Sequence, residues 1–290
     1  MKHAYMIMAH HEPKLLSYLI KKLDHSDNDI YIHIDKKSFL KDEDFSSICE
    51  KSKIFFVERV DVGWGHYSQI ECEMVLLKAA IKGKYDYYHL ITGVDLPLKP
   101  VEEINKYFEG SNGKDFVDFD AIDDTTLFSE RYDRWHLFKR PRKKGLIYTL
   151  YKKFIALFSR VLFLLLGPRS KKYDSNFKMK KGSAYFDITH ALAEYIVSKE
   201  PEIKKMFAYT SCCDEVFLQT YAYNSQFKDN LVTAPTRYID WRNCTDSPKT
   251  LTMEHRTEIL DSVAFFARKF STVESRELIE ALFEDFSFDK

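Results

Sequence analysis

His3-Ala-Tyr-Met-Ile-Met-Ala9, followed by His10-His-Glu-Pro13, is the stretch on which the fold turns. A nearly unbroken apolar run of this length reads as a parallel strand buried on both faces. Pro13 suits the first turn of a helix through about Leu23, because that turn has no intrahelical use for its N–H. A second strand, Asp29-Ile-Tyr-Ile-His-Ile-Asp35, follows, then a helix around 43–51 and a third strand, Lys53-Ile-Phe-Phe-Val57. Strand–helix–strand–helix–strand predicts the βαβαβ nucleotide-binding half of an α/β protein. Such sheets bind ligands beyond the carboxyl ends of their strands, where His10, His11, Asp35 and Lys36 collect. Asp35 is either an acceptor for a ribose or base, or a solvated strand-end carboxylate.

Further along, Asp61-Val-Gly-Trp-Gly-His-Tyr-Ser68 is a glycine-flanked aromatic turn before a helix from Gln69 to about Lys82. It is not GxGxxG, so it carries no dinucleotide fingerprint. A fourth strand, Asp86–Ile91, runs into Thr92-Gly-Val-Asp-Leu-Pro-Leu-Lys99, placing Asp95 in a loop of the kind that carries catalytic polar groups. The strand Asp115–Asp120 contains Asp118-Phe-Asp120, which reads as a divalent-cation pair or as plain strand alternation. Gly182–Ile188 predicts a strand, followed by a helix from about His190 to Ser198. In Thr210-Ser-Cys-Cys-Asp-Glu-Val-Phe-Leu-Gln-Thr220 a loop enters a helix, with Asp214 and Glu215 at its start. The carboxylates there are helix caps, or one is a general base beside a cleft. Arg237-Tyr-Ile-Asp-Trp241 sets Asp240 beside an aromatic that could stack on a sugar. Helices are expected from about Thr252 and over about 275–283.

The chain has equal numbers of acidic and basic residues, but from Arg131 to Lys181 it carries +14 and elsewhere −14. One basic block on an acidic protein points to an anionic partner. Within it, Arg131 and Arg134 of Glu130-Arg-Tyr-Asp-Arg-Trp-His136 are groups that grip sugars or phosphates. Lys139-Arg-Pro-Arg-Lys-Lys144 then leads into an apolar stretch, Leu146 to Gly167, flanked again by Arg169, Lys171 and Lys172. Its core, Phe154–Leu166, is interrupted by Arg160 and is too short to span a bilayer. Segment 139–172 is therefore either an interfacial helix on an anionic membrane or a buried helix with basic loops. No zinc, helix-turn-helix or RNP signature accompanies the charge, so no nucleic-acid partner is expected. Five cysteines without metal-ligand spacing, and no leader pattern at Met1–Tyr5, lead to an expectation of reduced thiols and a cytoplasmic location.

Taken together, Ile32–Ser38, Val62–Ser68, Tyr87–Lys99, Gly182–Phe186, Asp214-Glu215, Arg237–Trp241 and Phe266–Phe270 resemble, in order and spacing, the core-2/I-branching β-1,6-N-acetylglucosaminyltransferases and the related peptide O-xylosyltransferases. The likeness is greatest to bacterial members and covers nearly the whole chain. It implies a GT-A fold: one α/β catalytic domain over 1–290, with a mostly parallel Rossmann-like sheet flanked by helices. About 1–120 would bind the nucleotide sugar, and about 121–290, including the basic insertion, would bind the acceptor. It implies inverting transfer, most readily of N-acetylglucosamine, from a UDP-sugar to a hydroxyl of an oligosaccharide or lipid-linked glycan in surface polysaccharide synthesis. Glu215 would be the base, with Asp214 capping or orienting. Asp35 and Asp95 would lie on the nucleotide-sugar side, and Trp241, Asp240, Arg131 and Arg134 on the acceptor side. No metal or cofactor is expected, because Lys269 and Lys249, with Arg242 in reserve, would face the diphosphate. The animal enzymes carry an anchor, a stem and disulfides that this sequence is not expected to share. A different UDP-sugar (xylose, glucose or galactose) or a non-catalytic glycan- or lipid-binding module are the competing readings.

Overall fold

In a computed structural model, which describes residues 1–121, 125–138, 145–169, 176–244 and 247–288, side-chain alternation divides strand β1 (His3–Ala9) between two hydrophobic cores. Tyr5, Ile7 and Ala9 enter one core, and Ala4 and Met6 the other. This is the two-sided burial that the apolar run requires. Helix α1 (Pro13–Lys22) begins on the proline and carries Lys21 and Lys22 in its last turn, near the negative end of its dipole. Strand β2 (Asn28–Ile34) pairs parallel with β1, and β3 (Lys53–Phe56) pairs parallel with β2. Helix α2 (Ser68–Ala80) returns the chain to β4 (Tyr87–Thr92), which lies parallel on the other side of β1.

The helix expected around 43–51 does not form. Asp42–Asp44 makes a single 3-10 turn. The chain is then gathered by the Asp24 carboxylate, which accepts N–H groups from Glu50, Lys51 and Ser52 at 2.8, 3.0 and 2.7 Å. Asp and Ser compete with helix by bonding backbone locally, and this segment is rich in both.

After β5 (Leu96–Pro97) come helix α3 (Val101–Glu109), β6 (Asp115–Val117) and the short α4 (Ser129–Asp133). Next are α5 (Leu146–Leu166), β7 (Phe186–Thr189), α6 (His190–Ser198), α7 (Glu200–Phe207) and α8 (Phe217–Tyr223). The chain closes with β8 (Leu231–Val232), β9 (Arg237–Ile239), α9 (Arg256–Leu260), β10 (Phe266–Arg268) and α10 (Arg276–Leu282). Strand β6 stops at Val117, so Asp118 and Asp120 lie beyond it, and β7 begins at Phe186 and not at Gly182.

Among the described residues the main sheet has seven strands in the order β3-β2-β1-β4-β7-β6-β8, parallel from β3 to β4 and antiparallel where β7 joins. This is the mostly parallel, helix-flanked α/β sheet expected. A second sheet, β5-β10-β9, is fastened to it by a buried ion pair. Arg237 of β9 grips Asp187 of β7 with both guanidinium nitrogens, one at 2.8 Å, and donates to the Leu90 carbonyl at 3.1 Å. His89 Nδ1 lies 2.8 Å from the same carboxylate. Burial opposes ionisation of Asp187, but Arg237 and His89 hold its carboxyl well below the usual carboxylate range.

Most of helix α5 is exposed. Only Ile155 and Ser159 are buried along it, whereas Leu146, Ile147, Leu164 and Leu165 are each more than 70% exposed. It is not an ordinary core helix. Among the described residues no helix is long and apolar enough to cross a membrane. The basic flanks 139–144 and 170–172 lie outside the described residues.

Candidate active site

Glu215 lies in a 3-10 turn, Cys213–Glu215, which is separated from α8 by Val216. Neither acid caps α8 as the helix-start reading expected. Glu215 Oε2 accepts a hydrogen bond from Arg131 Nη1 at 2.6 Å and lies 3.8 Å from Lys181 Nζ. Its Oε1 has no hydrogen-bond partner among the described residues, and the side chain keeps a quarter of its surface exposed. One oxygen is thus held by cations while the other faces solvent.

Two glycines allow this turn to pack. The Gly182 N–H donates to the Glu215 carbonyl at 3.0 Å, and a Cβ on Gly182 would meet the Asp118 carbonyl oxygen at 1.8 Å. Gly65 has a φ of 65°, and its carbonyl accepts from Cys212 N–H at 2.9 Å. A side chain there would be strained and would come 2.9 Å from Cys212 Sγ. Gln69 Nε2 donates to Asp214 at 2.7 Å. Burial and the neighbouring Glu215 push the Asp214 carboxyl up to about 7. Through Gln69, Asp214 is tied to the start of α2.

The aromatic turn 61–68 connects this turn to Asp35. Lys36 N–H donates to the Val60 carbonyl at 3.0 Å, and Lys37 Nζ donates to the Val62 carbonyl at 2.7 Å. Asp35 accepts from Lys37 N–H at 2.8 Å and is largely buried just past β2. The segment 60–65 thus begins beside Asp35 and ends against Cys212. Asp35 N–H bonds the Ala9 carbonyl, and Gly93 N–H bonds the Met8 carbonyl, each at 2.9 Å. These contacts set both loops at the carboxyl end of the sheet, where a ligand cleft is expected.

Asp95 is fully buried in the second of those loops. It accepts from Thr92 N–H and Oγ1 at 2.9 and 2.6 Å and pairs with Arg268 Nε at 3.1 Å. Its local role is to fasten the loop to β10. Phe270 N–H donates to the Val94 carbonyl at 3.0 Å, which brings Lys269 to the same end of the sheet. Lys269 Nζ donates to Ser247 Oγ at 2.7 Å.

The remaining candidate cations surround Asp240. Arg242 binds it through Nε and Nη2, each at 2.9 Å, Lys249 Nζ is 3.3 Å away, and His255 Nε2 is 3.0 Å away. The paired Arg242, acting against burial and aided by His255 and Lys249, holds the Asp240 carboxyl well below its usual range. Asp240, expected on the acceptor side, is thereby the anchor that positions Arg242 and Lys249. Trp241 beside it is 45% exposed.

Arg131 and Arg134, paired by the sequence reading, diverge. Arg131 reaches Glu215 and the Cys212 carbonyl. Arg134 forms an ion pair with Glu130 and sits 5.9 Å from the Phe163 ring of α5. Lys181 was not singled out by sequence; its ammonium bridges Asp120 at 2.8 Å and Glu215. Its only local signal is that it precedes the Gly182–Phe186 motif. Of the Asp-x-Asp pair, Asp120 is therefore engaged by a lysine, while burial pushes the Asp118 carboxyl up to about 6. Among the described residues no cluster of three His, Cys, Asp or Glu could hold a metal.

Glu215 can therefore present a carboxylate oxygen to a hydroxyl, while Arg242 and Lys249 gather separately around Asp240. Residues 3–263 match the Core-2/I-Branching enzyme family model. The chain is 22% identical over 280 residues to Xylosyltransferase sqv-6 of Caenorhabditis briggsae, covering 87% of this chain and 32% of that protein. It is also 22% identical over 305 residues to Xylosyltransferase 2 of Rattus norvegicus, covering 96% of this chain and 33% of the relative. The chain thus spans about a third of the length of these relatives. Among solved structures, the apo form of mouse xyloside xylosyltransferase 1 aligns over 91% of this chain and 97% of its own, at 6% identity and a TM-score of 0.40. On the family match over nearly its whole length, the chain belongs to the Core-2/I-branching enzyme family of glycosyltransferases.

Proposed function

We propose that the protein is an inverting, UDP-sugar-dependent transferase that places a sugar on a hydroxyl of a glycan acceptor, with Glu215 as general base. The observation that carries this reading is Glu215 itself: a carboxylate with one oxygen held by Arg131 and the other open, joined by segment 60–65 to the strand ends. Glu215 Oε1 takes the acceptor proton while the acceptor oxygen attacks the anomeric carbon opposite the UDP. One displacement inverts the configuration, so an α-linked donor yields a β-linked product, and no protein nucleophile is needed. UDP leaves as a diphosphate whose growing charge needs cations close by. Lys269 and Lys249, with Arg242, supply them, and Asp35 takes the uridine side.

N-acetylglucosamine is the donor sugar suggested by the branching enzymes. Xylose is the second reading, favoured by the xylosyltransferase names of the relatives. UDP release over a panel of UDP-sugars, with a mixed glycan acceptor pool, tests both. Turnover with one UDP-sugar is expected, and none with any would leave a non-catalytic glycan-binding module.

Metal independence belongs to the same proposal. Support comes from Lys181, which already compensates Asp120. Activity is expected to survive EDTA within about twofold. Abolition by EDTA with rescue by Mn²⁺ would reassign Asp118 and Asp120 as metal ligands.

For α5 we propose peripheral docking on an anionic membrane, placing the enzyme at the inner face of the cell membrane beside a lipid-linked glycan. The helix is 21 residues long, about 32 Å at 1.5 Å per residue, with apolar side chains exposed along it and Lys152, Lys153 and Arg160 among them. The protein is expected to sediment with phosphatidylserine vesicles and to be released by salt. Leu150→Ser/Leu157→Ser/Leu164→Ser should weaken partitioning by about tenfold or more, since each buried leucine contributes roughly 1.5–3 kcal/mol. Equal sedimentation of this variant would remove α5 from the membrane contact.

A further inference from the structure

Two carboxylates and two cations alternate through the site, in the order Asp120, Lys181, Glu215, Arg131. Lys181 Nζ lies 2.8 Å from Asp120 Oδ2 and 3.8 Å from Glu215 Oε2, and Arg131 Nη1 lies 2.6 Å from that same Glu215 oxygen. The backbone repeats the pattern. Asp120 N–H donates to the Lys181 carbonyl at 2.9 Å, and Gly182 N–H donates to the Glu215 carbonyl at 3.0 Å. Residues 181–182 are therefore stapled between the same two residues whose carboxylates the ammonium bridges.

Lys181 is shared unequally: Asp120 takes its hydrogen bond, and Glu215 only the longer ion pair. The inequality bears on the proton transfer. When the acceptor proton moves to Glu215 Oε1, the carboxylate loses its charge, and a cation paired with it loses its partner. Arg131 bears that loss directly. Lys181 bears less of it, because Asp120 keeps its charge throughout. At hydrogen-bond distance from Glu215 the ammonium would oppose the neutralisation more strongly, since the energy of an ion pair varies inversely with separation.

We propose that Asp120 is a positioning residue for the transfer: it holds Lys181 back from Glu215, so that the carboxylate stays free to take the acceptor proton. The inference rests on the reading of Glu215 as the base. It gives the second aspartate of the Asp-x-Asp pair a role that requires no metal, exerted through Lys181 and Glu215 and without contact with the reacting atoms.

The test is made on the full chain at low ionic strength, because the pairs are partly exposed to screening. Asp120→Asn keeps the shape of the side chain and removes its charge, which leaves Lys181 to Glu215 alone. Its kcat is expected to fall about tenfold, with acceptor KM and UDP affinity within about twofold of wild type. Retained UDP affinity also reports that the variant is folded. Adding Lys181→Met should relieve the defect, so that Asp120→Asn/Lys181→Met turns over about fivefold faster than Asp120→Asn. Two residues that only braced the loop would leave the double variant no faster than the single one. An unchanged kcat in Asp120→Asn, a raised acceptor KM in its place, or a loss that the second substitution does not relieve would overturn the assignment.

The Lys181 ammonium nitrogen, followed by NMR and assigned by its absence from Lys181→Met, reads the same competition without turnover. Glu215→Gln is expected to move this signal further in the Asp120→Asn background than in the wild type, and equal movement would overturn the competition. Absence of UDP-sugar turnover with that contrast intact would instead overturn the transferase reading and leave the hold of Asp120 on Lys181 standing.

Discussion

Glu215→Gln is expected to lower turnover by about 10²–10⁴-fold, the range that a positioned general base contributes. The substitution is nearly isosteric. Its amide oxygen can still accept from Arg131 Nη1, so the 2.6 Å contact and the Cys213–Glu215 turn should persist. What is lost is the ability to take a proton from the acceptor hydroxyl, a loss of about 3–5 kcal/mol in transition-state stabilisation. Because the carboxylate is not assigned to the donor, UDP affinity should stay within about twofold of wild type. Steady-state transfer and UDP titration on the same preparation separate the two effects. Near wild-type turnover would remove Glu215 as the base, and parallel loss of UDP binding would point to a collapsed turn.

Arg237→Met should destabilise the fold by about 3–5 kcal/mol, because it leaves the Asp187 carboxylate buried without its countercharge. Both side chains are almost fully buried, and the pair joins the small sheet to the large one. His89 remains beside Asp187, but burial pushes its imidazole down, so it supplies a hydrogen bond and little charge. The pH dependence has a definite sign. In the wild type the depressed Asp187 pKa contributes stability above the unfolded-state value, which is lost as pH falls through the folded value. In Arg237→Met, burial acts without an opposing cation, so the folded carboxyl binds its proton more readily than the unfolded one. Acid then stabilises the variant relative to its unfolded state, and the gap to wild type narrows on acidification. Denaturant midpoints at pH 8 and pH 5 check this. A second variant, Asp187→Leu/Arg237→Met, should recover much of the loss, since replacing a buried pair by apolar groups of similar volume is often tolerated. An unchanged midpoint in the single variant would mean that Asp187 finds another partner.

Much of the architecture was legible from periodicity. The run 3–9, the strands at 29–34 and 87–91, and the helix after the 61–68 turn are found where the pattern puts them, because two-sided burial demands continuous apolar strands. The segment 43–51 was misread because its few apolar residues fit a helix as well as a loop capped from outside. The cap comes from Asp24, about one strand away in sequence, which no local pattern reports. Helix α5 was ambiguous for a related reason. Hydropathy measures how apolar a helix is, and only the packed chain reports that its apolar side chains are mostly exposed.

The site divides along the same line. Sequence alone, through an ordered set of short motifs, determined the α/β class, the family resemblance and Glu215 as the candidate base. Those signals are local: a strand end, a glycine turn and a pair of acids before a helix. Tertiary structure alone decided which charges meet. It brought Arg131 to Glu215 across 84 residues and placed Lys181 between Asp120 and Glu215. It sent Arg134 toward α5 and made Asp240 an anchor for Arg242 and Lys249. An ion pair depends on separations of a few ångströms between side chains brought together by the sheet, whatever their distance along the chain.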